Sequence, residues 1–256
     1  MARIRWLLVS LLESSQRTSQ PQPTPGACQV NAENISLFVV CSFFLDEHSK
    51  FSYIIDGSGH TRPREGQIMA DMPGYSARKS AQAAAFFAKM QGGAINILKL
   101  IKLLYLSDRE SLQRYDMPIL WDKFVAMPQG PVDSLTLNYV NGFVRDSDGW
   151  AEYVTDRKNH KIGLVRHDLV EDDLDELSDA EIGIFHDVWQ KFGSMDQFEL
   201  VDYTHKHCPE WEDPHGSSNP IPYDRVLKFL GKPNANEVAE EIESLRSLSE
   251  SLAHAR

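Results

Sequence analysis

The chain has 256 residues, 42% of them hydrophobic, and a formal charge of -11. That length and composition suffice for one sizeable core or a core with an appendage. The acidic balance weighs against the broad basic surface that drives non-specific nucleic-acid binding and leaves room for a local basic face. Residues 1–75 hold six Lys or Arg against seven Asp or Glu, so nearly all of the excess acid belongs to residues 76–256.

The first 74 residues read as an upstream extension, disordered or preceding the true start, because they lack sustained period. They contain "QPQPTPG", a short apolar run from Ile35 to Leu45 and a Gly-rich "DGSGHTRPREG". Arg3 and Arg5 before an apolar stretch imitate an export signal, but no small-residue cleavage site comes after it. The run from Ile35 to Leu45 is about half the length a membrane-spanning helix needs. Met69 and Met72 stand directly before the regular part, so a native start near Met69 is expected. Three cysteines, Cys28, Cys41 and Cys208, show no paired spacing. The reading is therefore a cytoplasmic protein without disulfides.

From Tyr75 the helical signals become regular. "SARKSAQAAAFFAKMQGG" is an Ala-rich helix with Gly92-Gly93 as its stop. A second helix starts near Ile95. Its Ile97, Leu98, Leu100, Ile101, Leu103, Leu104 and Leu106 surround the axis, as in a helix buried in a bundle, while Lys99 and Lys102 are expected to snorkel outward. Pro118 stops it, and Pro128, Gly130 and Pro131 impose an extended or tight turn. Asp133 is the expected N-cap of a short helix, with Val132 and Leu137 as its hydrophobic staple. "WAEYVT" and "KIGLVR" around "DRKNH" predict a β-hairpin, which must pack on helices to persist.

Residues 168–181 contain eight acids and no base, the composition of a solvated linker or an acidic recognition face. Ser178 and Glu181 predict a capping box for a helix whose stripe is Ile182, Phe185, Val188 or Trp189, and Phe192, with Gly193 as its stop. Ser194 and Gln197 predict a second box, for a helix ending before Pro209. A short helix from Pro222 to Leu230 closes on Gly231. Residues 233–256 form a terminal amphipathic helix, too short in heptads to claim a coiled coil. The expected fold is mainly α (α+β), a compact helical domain over residues 75–232 with a small β-hairpin packed on the helices.

Chemistry is concentrated in "THKHCPEWEDPH", where His205, His207, Cys208, Asp213 and His215 are all zinc-ligand types. Histidines two apart do not share a helix face, and no established ligand spacing is present. No metal and no cofactor is expected. Nucleophile elbows, P-loops and dinucleotide fingerprints are absent, and Asp108, Arg109 and Glu110 are consecutive on a helix and diverge. The expected role of those three is surface ion pairing, Arg109 with an acid one turn away. Catalytic residues are therefore none, and an enzyme is disfavoured.

Four ordered stretches carry a resemblance: "KLIKLLYLSDRESLQRYDMPI", "FVAMPQGPVDSLTLNYVNG", "DDLDELSDAEIGIFHDVWQKFG" and "LVDYTHKHCPEW". Together they resemble the SocA-like Panacea antitoxin domain, long labelled a phage-associated protein, over Tyr75 to Gly231. The resemblance implies a helical antitoxin of a bacterial toxin-antitoxin system, binding a cognate protein toxin encoded beside it, in one member of the family as an adaptor to a Clp-type protease. The alternatives are a metal-dependent hydrolase or a helical DNA-binding regulator, nucleic acid being disfavoured as main partner by the charge. Lys102, Tyr105 and Arg109, spaced by three and four on one stripe, are the expected partner-binding residues. The same stripe would otherwise cover the bundle.

Overall fold

In the computed structural model the described residues are 53–55, 61–63, 74–144 and 149–254. The chain divides into two units, Met1–Arg62 and Pro63–Arg256. Upstream of residue 74 only two three-residue strands are described, β1 (Tyr53–Ile55) and β2 (Thr61–Pro63). The apolar runs, Met69, Cys28 and Cys41 lie outside the described residues.

The second unit is mainly helical, with small antiparallel sheets. Helix α1 (Ala77–Met90) starts at Ser76, whose hydroxyl accepts from the Lys79 N–H. Its alanines from 81 to 88 are buried beside Phe86 and Phe87, so a neighbouring backbone can approach closely on more than one side. Gly92 and Gly93, both with positive φ, turn the chain into β3 (Ala94–Asn96), which leads directly into α2 (Ile97–Tyr115). Asn96 caps α2 by accepting from Leu98 and Lys99. The expectation of a helix buried all round is met from Leu100 to Asp108. Helices α4 (Asp179–Phe192) and α5 (Gln197–His207) pack on it, and α1 adds a further wall.

The Pro-rich turn after α2 is more than a turn. β4 (Phe124–Met127) and β5 (Gly130–Asp133) form an antiparallel hairpin around Pro128 and Gln129, with Met127 opposite Gly130 and Phe124 opposite Asp133. Sequence alternation could not reveal it, because all four β5 residues are buried and Pro131 obscures the strand signal. A third strand, β7 (Asn219–Pro220), pairs with β4 on the other edge.

The expected hairpin at 150–166 forms only in part. Thr155 donates to the Gly163 carbonyl and Val165 to that of Tyr153, but Trp150–Glu152 is a 3-10 turn. The regular strand β6 (Lys161–Gly163) pairs instead with β3, Ile95 opposite Ile162. Two buried isoleucines on facing strands explain that choice.

Caps divide the same way. Ser178 and Glu181 form the expected box, and Phe185, Val188 and Phe192 are buried, with Ile184 in the core and Ile182 and Trp189 half-buried. The box on α5 is Asp196 with Glu199, two residues beyond the expected pair, because the chain turns once more after Gly193. α3 (Ser134–Val140) does have Asp133 at its N-cap position, yet the Asp133 side chain makes no capping bond. Helix α6 (Tyr223–Phe229) ends at Leu230 with Gly231 at φ 76°. The last helix, α7 (Ala235–His254), buries Val238, Ala239 and Ile242 against the rest of the unit, with α6 as its main support. Among the described residues no helix is long and apolar enough to cross a membrane.

Candidate functional site: a groove walled by a buried polar hub

Of the stripe on α2, two residues lie inside. Lys102 and Tyr105 are fully buried, and only Arg109 keeps an edge to solvent. Lys102 does not snorkel, because its ammonium is held by the Pro131 carbonyl at 2.7 Å. Burial pushes its pKa down to about 7, against the opposing pull of Asp133. A Cβ at Gly130 would lie 2.7 Å from the Thr204 hydroxyl and 3.0 Å from the Lys102 ammonium. That position therefore admits only glycine, on grounds of space as well as its φ of 97°.

Tyr105 and Arg109 converge on one acid. Glu210, fully buried in the loop after α5, accepts from the Tyr105 hydroxyl at 2.5 Å and from Arg109 Nε at 2.7 Å. The partner of Arg109 is thus 101 residues away, not one turn away, because the stripe faces α5 and its loop. Arg114 makes the local pair with Glu110. Tyr105→Phe removes a donor from a buried carboxylate and is expected to cost about 2 kcal/mol in urea unfolding. A cost near zero would mean that water reaches Glu210.

Behind the hairpin lie three buried aspartates. Asp122, placed after Trp121 at φ 56°, accepts four donors: the N–H groups of Lys123, Leu135 and Thr136, and the Thr136 hydroxyl. Its own carbonyl accepts from the Tyr223 hydroxyl at 2.8 Å, which ties α6 to the same point. Asp122, and not Asp133, therefore caps α3 from across the hairpin. Asp108, read from sequence as a surface charge, is buried and accepts from the Ile119 and Leu120 N–H groups. Its other oxygen and both oxygens of Asp133 have no hydrogen-bond partner. Burial pushes Asp108 up to about 7 and Asp133 well above the ordinary carboxylate value, with Asp122 raising Asp108 further and both raising Asp133.

The histidine-rich segment does not converge. His205 stacks on Trp211 with ring centres 3.9 Å apart, and Trp211 donates to the Met127 carbonyl. His207 stacks on Tyr203, and His215 lies beside Asp213 in an exposed loop. Burial pushes the Cys208 thiol up to about 12, so it is not a thiolate at neutral pH. Among the described residues no group of three or more His, Cys, Asp or Glu is placed to hold a metal ion.

These interior anchors fix the wall of an open groove of about 870 Å³. The hairpin tip supplies Met127, Pro128 and Gln129. The first turn of α2 supplies Ile97, Leu98 and Ile101, and the staple positions Val132 and Leu137 line the same space. Phe198, 60% exposed at the start of α5, stands on the rim with Gln197. Asn141, Arg157, Asn159 and His160 close one end. Among the described residues no Asp or Glu lines it. Sequence reasoning missed the groove because its walls come from four separated segments. The Met-Pro-Gln-Gly-Pro run, in which Pro131 is held by Lys102, was the one local signal.

Residues 100–212 match the family described as antitoxin SocA-like, Panacea domain. That stretch is similar to the SocA-like Panacea domain. No curated protein and no solved structure matches the chain. The Panacea match begins inside α2 and ends just beyond Trp211, so it contains the hairpin, the three aspartates, Glu210 and the whole groove except Asn96, Ile97 and Leu98. Helices α1, α6 and α7 flank it.

Proposed function

We propose that the protein is an antitoxin that neutralises a toxin encoded beside it by direct, stoichiometric binding. The observation that carries this reading is the Panacea match over residues 100–212, whose family description is that of an antitoxin. Binding rather than turnover accords with the surroundings of the groove: Lys102, Tyr105, Arg109, Glu210 and Asp122 are spent on a backbone carbonyl, a helix cap and one another. Lys102 and Tyr105 act in this reading as positioning residues. Lys102 holds Pro131 and with it the hairpin tip, while Tyr105 and Arg109 hold the loop that carries Trp211 against Met127. A Clp-type protease would enter only downstream, by accepting the complex.

Direct binding makes a quantitative demand. Titrating the purified product of the adjacent reading frame with this chain should give a saturable complex, and protection in cells should fail once toxin exceeds antitoxin. Full protection at a small fraction of the toxin level, with no complex at micromolar concentration, would point to an enzyme acting on the toxin or its target and would end this reading.

A further inference from the structure

The groove differs in charge from the protein that surrounds it. The chain carries a net charge of -11, yet among the described residues no carboxylate lines the groove, while Arg157 and His160 line it. Among the described side chains every other arginine is paired with a carboxylate: Arg78, Arg109, Arg114, Arg166, Arg225 and Arg246. Arg157 is exposed, and among the described residues its partners are Asn141 Oδ1 and the His160 ring, with no carboxylate. An exposed guanidinium that no described carboxylate engages can pair with one from outside.

The remaining lining is apolar where it is exposed. Phe198, 60% exposed, lines the same groove as the half-buried Leu98, Met127 and Leu137. An exposed ring beside partly buried aliphatic side chains is the kind of surface that an apolar segment covers.

Resting on the antitoxin reading, we infer that this groove is the toxin-docking site, and that it receives an apolar segment of the toxin carrying an Asp or Glu side chain to Arg157. A chain-terminal carboxylate is the poorer fit, because such groups are captured by free backbone N–H groups. Several at or beside the groove are already engaged: Leu98 and Lys99 by Asn96, Ile97 by the His160 carbonyl, Phe198 and Glu199 by Asp196.

The test uses the full chain and the purified product of the adjacent reading frame, with affinity measured at low and high salt. Phe198→Asp and Arg157→Glu should each weaken binding at least tenfold, and Arg157→Glu should also flatten the salt dependence. Both side chains are exposed, so folding, followed by circular dichroism, should be unchanged. Val170→Asp and Arg166→Glu, exposed positions outside the groove, should bind as the unaltered chain does. If the unaltered chain binds and the groove variants bind equally well, the docking site is elsewhere and the antitoxin reading stands. Loss with Phe198→Asp alone would remove the carboxylate from the proposal. If the unaltered chain does not bind the neighbouring product, the antitoxin reading falls and this inference with it. Sedimentation of the chain alone supplies a further outcome: a dimer dissociated by Phe198→Asp would assign the groove to a second copy and overturn the proposal.

Discussion

Asp122→Ala is expected to destabilise the second unit by about 4 kcal/mol or more, the sum of several buried donors left without an acceptor at about 1–3 kcal/mol each. The Leu135 and Thr136 N–H groups and the Thr136 hydroxyl would lose their acceptor in a part of the fold from which water is largely excluded. The substitution also opens space beneath Trp121 and α3, where the chain already holds a left-handed residue at φ 56°. Asp133 offers the control. It occupies the N-cap position and would be ranked first from sequence, but its carboxylate accepts nothing and lies beside two other aspartates. Asp133→Asn removes a buried group that resists ionisation and should cost less than about 1 kcal/mol, or stabilise. Urea denaturation of the two variants decides the matter. Equal losses, or a larger loss for Asp133→Asn, would show that the cap on α3 had been assigned to the wrong residue.

Asp122 and Asp133 also mark where sequence legibility ends. Local signals were sound where the partner is within a turn or two: the Ser178 and Glu181 box, the Gly92-Gly93 stop, the all-round apolar α2 and the Phe185 to Phe192 stripe are all in place. They failed where a side chain reaches across the fold. Asp122 serves residues 13 and 14 positions later, and Glu210 serves residues 101 and 105 positions earlier. Neither distance leaves a periodic trace. Lys102 misled for a related reason. A lysine on an apolar helix normally snorkels, but here the Pro131 carbonyl lies within reach and the hairpin closes over it. The groove was legible only as a rigid turn, because a concave surface assembled from α2, the hairpin, α3 and α5 exists only once those elements have packed.

The same buried charges set an expected pH dependence, which Asp108 isolates. Its ordinary pKa of 3.8 is pushed up to about 7 by burial. Between those values the folded protein holds a proton that the unfolded chain has released, so the contribution is fully present below about pH 4 and is lost as pH rises to about 7. Lys102 has the opposite sign in a different window. With its pKa lowered to about 7 from 10.5, it costs stability below 7 and progressively less as pH climbs toward 10.5. Other carboxylates with lowered values, such as Asp175, pull the total the other way in acid, so the unaltered profile alone is ambiguous. Comparison with Asp108→Asn removes that ambiguity. Asparagine keeps the oxygen that accepts from Ile119 and Leu120 and cannot ionise, and its amide can donate toward the oxygen-rich side that Asp133 shares. The difference in unfolding free energy between variant and unaltered chain should therefore grow in favour of the variant from pH 4 to 7. A carboxyl raised from 3.8 to about 7 corresponds to a change on the order of 4 kcal/mol across that range, read from urea midpoints at each pH with the slope of the transition unchanged. Parallel profiles for the two proteins would mean that Asp108 titrates normally and that water reaches the hub. A profile that diverges only above pH 7 would instead move the shifted proton to Lys102.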